Sequence, residues 1–246
     1  MEKSDDFIYG MISPDNPRSL VPNYNQGCPL HKGNIRTLAP VWGKLNTFRC
    51  MEGGEEWAPD MNVRNPATGE MVEILDDGKS WQPPDGFHQH QKFYFKAAYR
   101  LFLIRMLVSH PYIRPVDFDG PEGDGYKPPV HALAWAYAVT GDSAYAHKAL
   151  LILNRLAETY RWYNGRVDTK VDWRVKPRRG YIGDGGFECG HILRLARAYD
   201  LVFEAVENAD TVVEFFNNKH GADYNDDGKT DTDDLRYNIE HNLFGY

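Results

Sequence analysis

Residues 128–160 read PPVHALAWAYAVTGDSAYAHKALLILNRLAETY, and this stretch decides the fold. Two prolines stand where a helix begins, and proline is well accepted in the first helical turn. An alanine-rich, aromatic run follows over residues 130–139. Gly141 and Asp142 then combine a residue that ends one helix with a residue that caps the next. The sequence therefore predicts two antiparallel helices joined by a very short turn.

The second helix of this hairpin has a regular apolar stripe. Apolar residues recur at three- and four-residue spacing, which is typical of a helix with one buried face. The stripe consists of Ala146, Ala149, Leu150, Leu153, Ala157 and Tyr160. Similar spacing predicts a long helix from residue 90 to the His110-Pro111 pair, where proline disfavours a helical predecessor. Further helices are predicted over residues 186–204, 211–217 and 233–244.

The region before the helices has a different character. Residues 1–89 are dense in Pro, Gly, Asn and charged residues, with no helical period over more than two turns. Short apolar pieces at residues 35–42 and 71–75 are small strands or loop anchors, and no convincing strand pairs are predicted. We therefore expect a mainly α fold. Its helices form an incomplete α/α toroid of antiparallel pairs over residues 90–246, and the loop-rich region 1–89 packs on it.

Composition limits the classes of partner. The net charge is -7, and the longest basic run is Lys176-Pro177-Arg178-Arg179, so the footprint of a nucleic-acid-binding protein is missing. No run approaches the roughly 20 apolar residues of a membrane span, and the first twenty residues do not read as a signal peptide. We expect neither a nucleic-acid nor a membrane partner. Three cysteines cannot form a disulfide framework, since one stays unpaired.

Five pieces of the chain resemble one group of proteins when taken in order. They are residues 25–31 (NQGCPLH), Cys50, residues 81–94, the hairpin pieces 138–142 (AVTGD) and 145–149 (YAHKA), and residues 198–201 (AYDL). Together they resemble the heparinase II/III-like and alginate lyase families of polysaccharide lyases, over roughly residues 22–245. The resemblance implies an N-terminal toroid, a C-terminal β-sheet half, β-elimination on acidic polysaccharides and a periplasmic or secreted location.

Elimination next to a uronate carboxylate sets clear chemical demands. The carboxylate must be neutralised, a base must reach the adjacent carbon, and the leaving glycosidic oxygen must be protonated. Asn, His, Tyr and Arg are the usual residues for these tasks. The pair His241-Asn242 has the reverse order of the Asn-His pair in the resembled families, so no catalytic residue is assigned. We expect an N-terminal part of a polysaccharide lyase that lacks the full catalytic centre.

A glycine-rich stretch before the helix at residues 186–204 is the candidate sugar-binding segment. The candidate substrate-binding residues are Arg178, Arg179, Tyr181, Glu188 and His191. Two arginines can pair with a uronate carboxylate in fork geometry, and a carboxylate three residues before a histidine can orient its imidazole. The alternative is a glycine-rich loop entering a core helix, with Glu188 capping the first turn and His191 hydrogen-bonded internally.

Residues 223–234 have the ligand spacing of an EF-hand calcium loop. The candidate metal ligands are Asp223, Asn225, Asp227, the backbone carbonyl of Lys229, Asp231 and Asp234, with glycine at position 6 of the loop. Hard oxygen ligands fit calcium rather than zinc or copper. A calcium ion here fixes a helix corner and does no chemistry. The alternative is a solvated acidic turn that caps the last helix.

A second metal-like pattern involves cysteine. Cys28 and His31 form a C-x-x-H pair, and Cys50 adds a third ligand type, while His88 or His90 would supply a fourth. However, no partner follows Cys50 two or three residues later, so the usual second pair is broken. The sequence therefore disfavours zinc and favours reduced cysteines, with Cys189 buried in its helix.

Three functions compete for this chain. The leading interpretation is a polysaccharide lyase that binds an acidic polysaccharide in a groove lined by aromatic residues and arginines. An α/α-barrel glycoside hydrolase would instead need two carboxylates across a groove. The third option is a calcium-stabilised carbohydrate-binding or scaffold module, suggested by the loop at residues 223–234.

Overall fold

A computed structural model describes residues 3–12, 28, 30–31, 38–41, 44, 47–58, 62–64, 69, 71–75, 93–94, 129–161 and 185–245. This part of the chain is mainly helical. The α-helices are α1 (Asp5–Met11), α2 (Pro129–Thr140), α3 (Ser143–Tyr160), α4 (Gly185–Val202), α5 (Asp210–His220) and α6 (Thr232–Tyr237). A 3-10 turn covers Phe203–Asn208 and a π-helical turn covers Asn238–Phe244. None of the described helices is both long enough and apolar enough to cross a bilayer.

The predicted hairpin of α2 and α3 is confirmed. Gly141 between them has φ +70°, a left-handed conformation that glycine adopts without steric cost. Its N–H donates to the carbonyl of Tyr137 over 2.7 Å, which closes the end of α2. The Asp142 side chain then accepts the N–H of Ala144 at 2.9 Å and caps α3. The two residues of the turn therefore satisfy one unpaired backbone group at each helix end.

Helix α3 is the centre of the molecule. It contacts α1, α2, α4, α5 and the π-helical turn. Its predicted stripe is buried throughout, and Leu151, Ile152 and Leu156 are buried as well. Each buried Leu or Ile side chain contributes roughly 1.5–3 kcal/mol through the hydrophobic effect. The second half of the helix is therefore buried on nearly all sides, and its polar side chains are enclosed with the rest.

The later helices follow the predicted order, with shifted ends. The predicted helix at residues 186–204 is α4, which gives way to the 3-10 turn at Phe203. The predicted helix at residues 211–217 is α5, which is longer and ends at Gly221, where φ is +76°. The predicted helix at residues 233–244 is α6 continued by the π-helical turn, and Asp231 is its N-cap.

The expectation of no strand pairs was wrong. The first sheet has the antiparallel order β1 (Leu38–Pro40), β2 (Phe48–Cys50), β3 (Glu56–Trp57). In the second, β5 (Met71–Leu75) pairs antiparallel with β4 (Asn62–Arg64) and parallel with β6 (Phe93–Tyr94). Strand β6 also corrects the predicted helix start at residue 90, and residues 95–110 lie outside the described part. Strands of two to five residues show too little alternation to be recognised from sequence.

Helix α1 was not predicted, because seven residues are too few to establish a helical period. The Ser4 hydroxyl caps it by accepting the N–H of Phe7 at 3.1 Å. Its residues Ile8 and Met11 are buried in the main core. Asp5 accepts hydrogen bonds from His147 and Lys148 of α3, which lie more than 140 residues away in sequence. Tertiary contacts therefore hold this helix in place.

Candidate functional site

An open cleft of about 260 Å³ lies where α3 ends. The end of α5, the loop after it and the π-helical turn supply the other walls. The lining includes Arg155, Glu158, Arg161, His220, Tyr224, Asn238 and Asn242. These side chains are almost all polar, and they come from segments that are far apart in sequence.

Glu158 contacts three other side chains that line the cleft. Its Oε2 accepts a hydrogen bond from the Arg155 guanidinium at 2.6 Å. Its Oε1 lies 2.8 Å from Nε2 of His220 and accepts the hydroxyl proton of Tyr224. The Glu158 and Arg155 side chains are 9% and 8% exposed, so this ion pair is shielded from water. Three donors on one buried carboxylate fix the positions of all three partners.

Tyr224 keeps its proton in this setting. Burial raises the pKa of its hydroxyl far above the ordinary value, and the adjacent negative charge of Glu158 raises it further. Asn154 donates to the same hydroxyl oxygen over 3.3 Å. At neutral pH the resting side chain is therefore protonated and can donate its hydroxyl proton.

Two arginines and one histidine line the cleft. Arg155 is immobilised, because its Nε donates to the carbonyl of Ile12 at 2.8 Å and its guanidinium lies 3.7 Å from the centroid of the Tyr9 ring. Arg161 is exposed just past the end of α3. His220 is partly exposed, and its Nδ1 lies 2.8 Å from the carbonyl of Gly221. The walls can therefore receive an anionic group.

The loop at residues 223–234 is closed by its own oxygen atoms. Both carboxylate oxygens of Asp223 accept backbone N–H groups, from Asp227 at 3.1 Å and Gly228 at 3.0 Å. Asn225 Oδ1 accepts the N–H of Asp227 at 3.0 Å, and Asp227 Oδ1 accepts that of Lys229 at 2.8 Å. Gly228, at position 6, has φ +82°. The backbone thus makes the sharp bend that an EF-hand loop requires there.

Asp234 closes the other end of this loop. It is buried, its Oδ1 accepts N–H groups from Tyr224 and Asn225, and its Oδ2 accepts the N–H of Asp231 at 3.0 Å. Asp231 in turn caps α6 in a reciprocal capping box. Tyr224 is the second residue of this loop, so the loop positions the Tyr224 hydroxyl in the cleft.

None of the predicted sugar-binding residues is among the described residues that line the cleft. Arg178, Arg179 and Tyr181 lie outside the described residues. Glu188 and His191 both belong to α4. His191 is buried, and α4 does not contribute to the described lining of the cleft.

The predicted cysteine and histidine ligands do meet. Sγ of Cys28 and Sγ of Cys50 each lie 3.5 Å from Nδ1 of His31. Glu55 Oε2 lies 3.6 Å from the same nitrogen. The four side chains Cys28, His31, Cys50 and Glu55 thus form one cluster, and their ligand atoms all lie within 4.8 Å of one another. His88 and His90, suggested as fourth ligands, lie outside the described part.

The three cysteines differ in environment. Cys28 and Cys50 are buried, and burial raises the pKa of the Cys28 thiol to about 11. Cys189 is exposed, which corrects the expectation that it is buried in its helix. Two residues later on α4, His191 is buried, so Cys189 lies on a different side of the helix.

Sequence reasoning missed the central residues of the cleft. Arg155 and Glu158 stand among the buried apolar residues of α3, directly next to the stripe that fills the core. Charged residues in such a place must be paired, and this signal was readable from the sequence. The partners His220 and Tyr224 carry no such signal, because they are more than 60 residues away.

Comparisons with protein-family models, with curated proteins and with solved structures found no match to this chain.

Proposed function

We propose that the chain is part of a polysaccharide lyase whose helices form an α/α toroid and whose cleft at Glu158 and Tyr224 binds an acidic, uronate-containing polysaccharide. One observation carries this proposal. Arginine, histidine, tyrosine and asparagine side chains meet in a single open cleft. These are the residue types that β-elimination uses, and they meet beside the helical hairpin on which the family resemblance partly rests.

The cleft meets two of the three demands of elimination. Arg161 is the exposed cationic group that receives the uronate carboxylate, and the partly exposed ring of His220 lines the cleft beside Glu158. Tyr224 holds the proton that the leaving glycosidic oxygen needs. His220 is not assigned as the base, because Glu158 and the Gly221 carbonyl occupy both of its ring nitrogens. No residue of the described part is assigned as the base.

Calcium has a supporting role in this proposal. The oxygens of Asp223, Asn225 and Asp227 each accept a loop N–H and retain lone pairs for a cation. A calcium ion at residues 223–234 stabilises the bend and thereby the position of Tyr224. We expect the ion to raise the melting temperature, and Asp223→Asn to reduce that increase more than Asp200→Asn on the exposed side of α4.

The direct test is the ultraviolet absorbance of the unsaturated uronate that elimination leaves. The full chain is incubated with a panel of uronate polymers, with and without calcium. A rise with at least one polymer would show that the chain holds a complete catalytic centre, contrary to the expectation from the sequence, and Tyr224→Phe should then reduce the rate at least tenfold. Tyr237→Phe, at an exposed position of α6, is the matched control and should leave the rate unchanged. No rise with any polymer would contradict lyase activity of this chain.

A carbohydrate-binding module stabilised by calcium is the second candidate. The closed geometry of the loop at residues 223–234 favours it, because such a loop serves a structural role without any reaction. It predicts binding of acidic polysaccharide that strengthens with calcium and produces no unsaturated uronate. A glycoside hydrolase is less well supported, because Glu158 is the one carboxylate among the described lining residues and that reaction needs two.

A further inference from the structure

A second cluster, separate from the cleft, combines four side chains of metal-ligating type. We propose that Cys28, His31, Cys50 and Glu55 hold one structural zinc ion. Two sulphurs, one imidazole nitrogen and one carboxylate oxygen are all ligands that zinc accepts in tetrahedral sites. Calcium and magnesium prefer oxygen ligands alone, so the two sulphurs exclude them.

The spacing of the ligand atoms fits a single ion. In zinc sites the Zn–S distance is about 2.3 Å and the Zn–N distance about 2.0–2.1 Å, so tetrahedral geometry separates sulphur from nitrogen by about 3.6 Å. Both sulphurs lie 3.5 Å from His31 Nδ1. The carboxylate oxygen lies 3.6 Å from it. The other pairs of ligand atoms lie within 4.8 Å of each other, so the four atoms surround one central point.

Hydrogen bonding does not account for this arrangement. His31 Nδ1 carries at most one hydrogen, yet two sulphurs and one carboxylate oxygen surround it. Glu55 Oε2 is buried and has no hydrogen-bond partner within the described part of the chain. A buried carboxylate oxygen without a partner is costly. One cation at the centre satisfies this oxygen and both sulphurs together.

The turn between β2 and β3 is shaped for such a site. The N–H of Gly53 donates to Cys50 Sγ at 3.4 Å, which stabilises negative charge on the sulphur. The N–H of Cys50 donates to the Glu55 carbonyl at 2.8 Å, so both ligands belong to one tight turn. A Cβ at position 53 would lie 2.2 and 2.3 Å from the Glu55 carboxylate oxygens and 2.3 Å from Cε1 of His31. A side chain at position 53 would therefore displace Glu55 and His31 from their present positions.

The position of Glu55 explains why zinc is possible without a ligand shortly after Cys50. Zinc was disfavoured because no ligand follows Cys50 after two or three residues. Position 53, where such a ligand would stand, is a glycine, and the carboxylate of Glu55 fills the space beside it. With four protein ligands the site is closed, which is typical of structural rather than catalytic zinc. It fastens the segment at Cys28 to the β2–β3 hairpin.

Zinc binding is measured on the full chain, reduced, stripped of metal and then dialysed against zinc in excess calcium. We expect one equivalent of zinc to be retained after removal of free metal. Cobalt in place of zinc should give thiolate-to-metal charge-transfer absorption together with tetrahedral ligand-field bands. Retention of less than a stoichiometric amount, or a cobalt spectrum without thiolate bands, would overturn the proposal.

Matched variants separate the site from incidental binding. Cys50→Ser should abolish stoichiometric retention, and Cys189→Ser, at an exposed thiol, should retain one equivalent. Glu55→Gln keeps the shape of a partly exposed side chain and therefore tests the site even if Cys50→Ser does not fold. It should weaken zinc affinity at least about tenfold, because changes even to groups around a ligand have effects of that size. Glu52→Gln, exposed in the same turn, should bind like the wild type, and equal loss in both glutamate variants would contradict the assignment.

Discussion

Arg155 is a buried charged residue that contacts several parts of the molecule. It joins Glu158, the carbonyl of Ile12 and the ring of Tyr9, so three parts of the molecule meet at one guanidinium. Its long aliphatic stem fits the apolar helix, while its five donors satisfy the polar groups around it. The same residue therefore stabilises the fold and shapes the cleft.

Replacement of Arg155 should be among the most damaging single changes. Arg155→Ala leaves Glu158 buried without its main partner, and breaking a buried pair in this way costs about 3–5 kcal/mol. Urea unfolding of the variant measures this loss. Arg197→Ala, on the exposed side of α4, is the control and should change the free energy of unfolding by less than about 0.5 kcal/mol. Equal effects in both variants would mean that the ion pair contributes little.

Asp5 predicts a defined pH dependence. Burial alone would raise the pKa of its carboxyl group, but hydrogen bonds from Lys148 and His147 outweigh burial and lower the pKa below the ordinary value. Because the folded-state pKa is the lower one, the stabilisation is present above the unfolded-state pKa, about 3.9. It is lost as the pH falls through the folded-state pKa.

The test compares melting temperatures of the wild type and Asp5→Asn from neutral pH downwards. The wild type should melt higher at neutral pH, and the difference should shrink below about pH 4. Asp200→Asn should show no such pH-dependent difference. A gap between wild type and Asp5→Asn that stays constant to low pH would contradict the lowered pKa.

At the level of single residues, the sequence was informative only where a local pattern existed. The apolar stripe of α3 was predicted and is buried. Glu55 was missed as a candidate metal ligand, because the turn that brings Glu55 close to Cys50 exists only when β2 and β3 pair. The same holds for Tyr224, which reaches Glu158 through a loop 66 residues further along the chain.

Among the elements, helices were predictable and strands were not. Helices α3 to α5 repeat their apolar residues every three or four positions, and α2 is marked by the prolines at its start and by Gly141 after its end, so each carries its own evidence. Strands β1 to β6 are at most five residues long and depend on partners elsewhere. Helix α1 behaves like the strands, since its stability comes from packing on α3 rather than from its own sequence.

Two glycines, one in the hairpin turn and one inside α4, test the role of backbone conformation. Gly141 has φ +70°, where a side chain is strained, whereas Gly190 lies inside α4 with no atom within 4 Å of an added Cβ. Gly141→Ala should therefore destabilise the protein by roughly 1 kcal/mol. Gly190→Ala should stabilise it by about 0.4–1 kcal/mol. Thermal unfolding of the two variants decides this, and effects of the same sign would refute the assigned roles.

On the scale of the whole molecule, the described part centres on α3. The N-terminal helix, the hairpin partner α2, helix α4 and the segments after α5 all pack on it. The mainly helical class was predicted from periodicity, and this prediction is confirmed. The closure of the helices into a toroid stays a prediction, because periodicity does not determine how successive pairs are arranged around an axis.

The central claim is that the cleft at Glu158 and Tyr224 recognises a uronate. Calorimetric titration of uronate oligosaccharides, and of the same oligosaccharides with reduced carboxyl groups, tests it most directly. The acidic ligand should bind and the neutral one should not. His220→Ala should weaken binding at least tenfold, while His241→Ala, an exposed histidine stacked on Tyr237, should not. Equal binding of both ligands, or equal loss in both histidine variants, would contradict the claim.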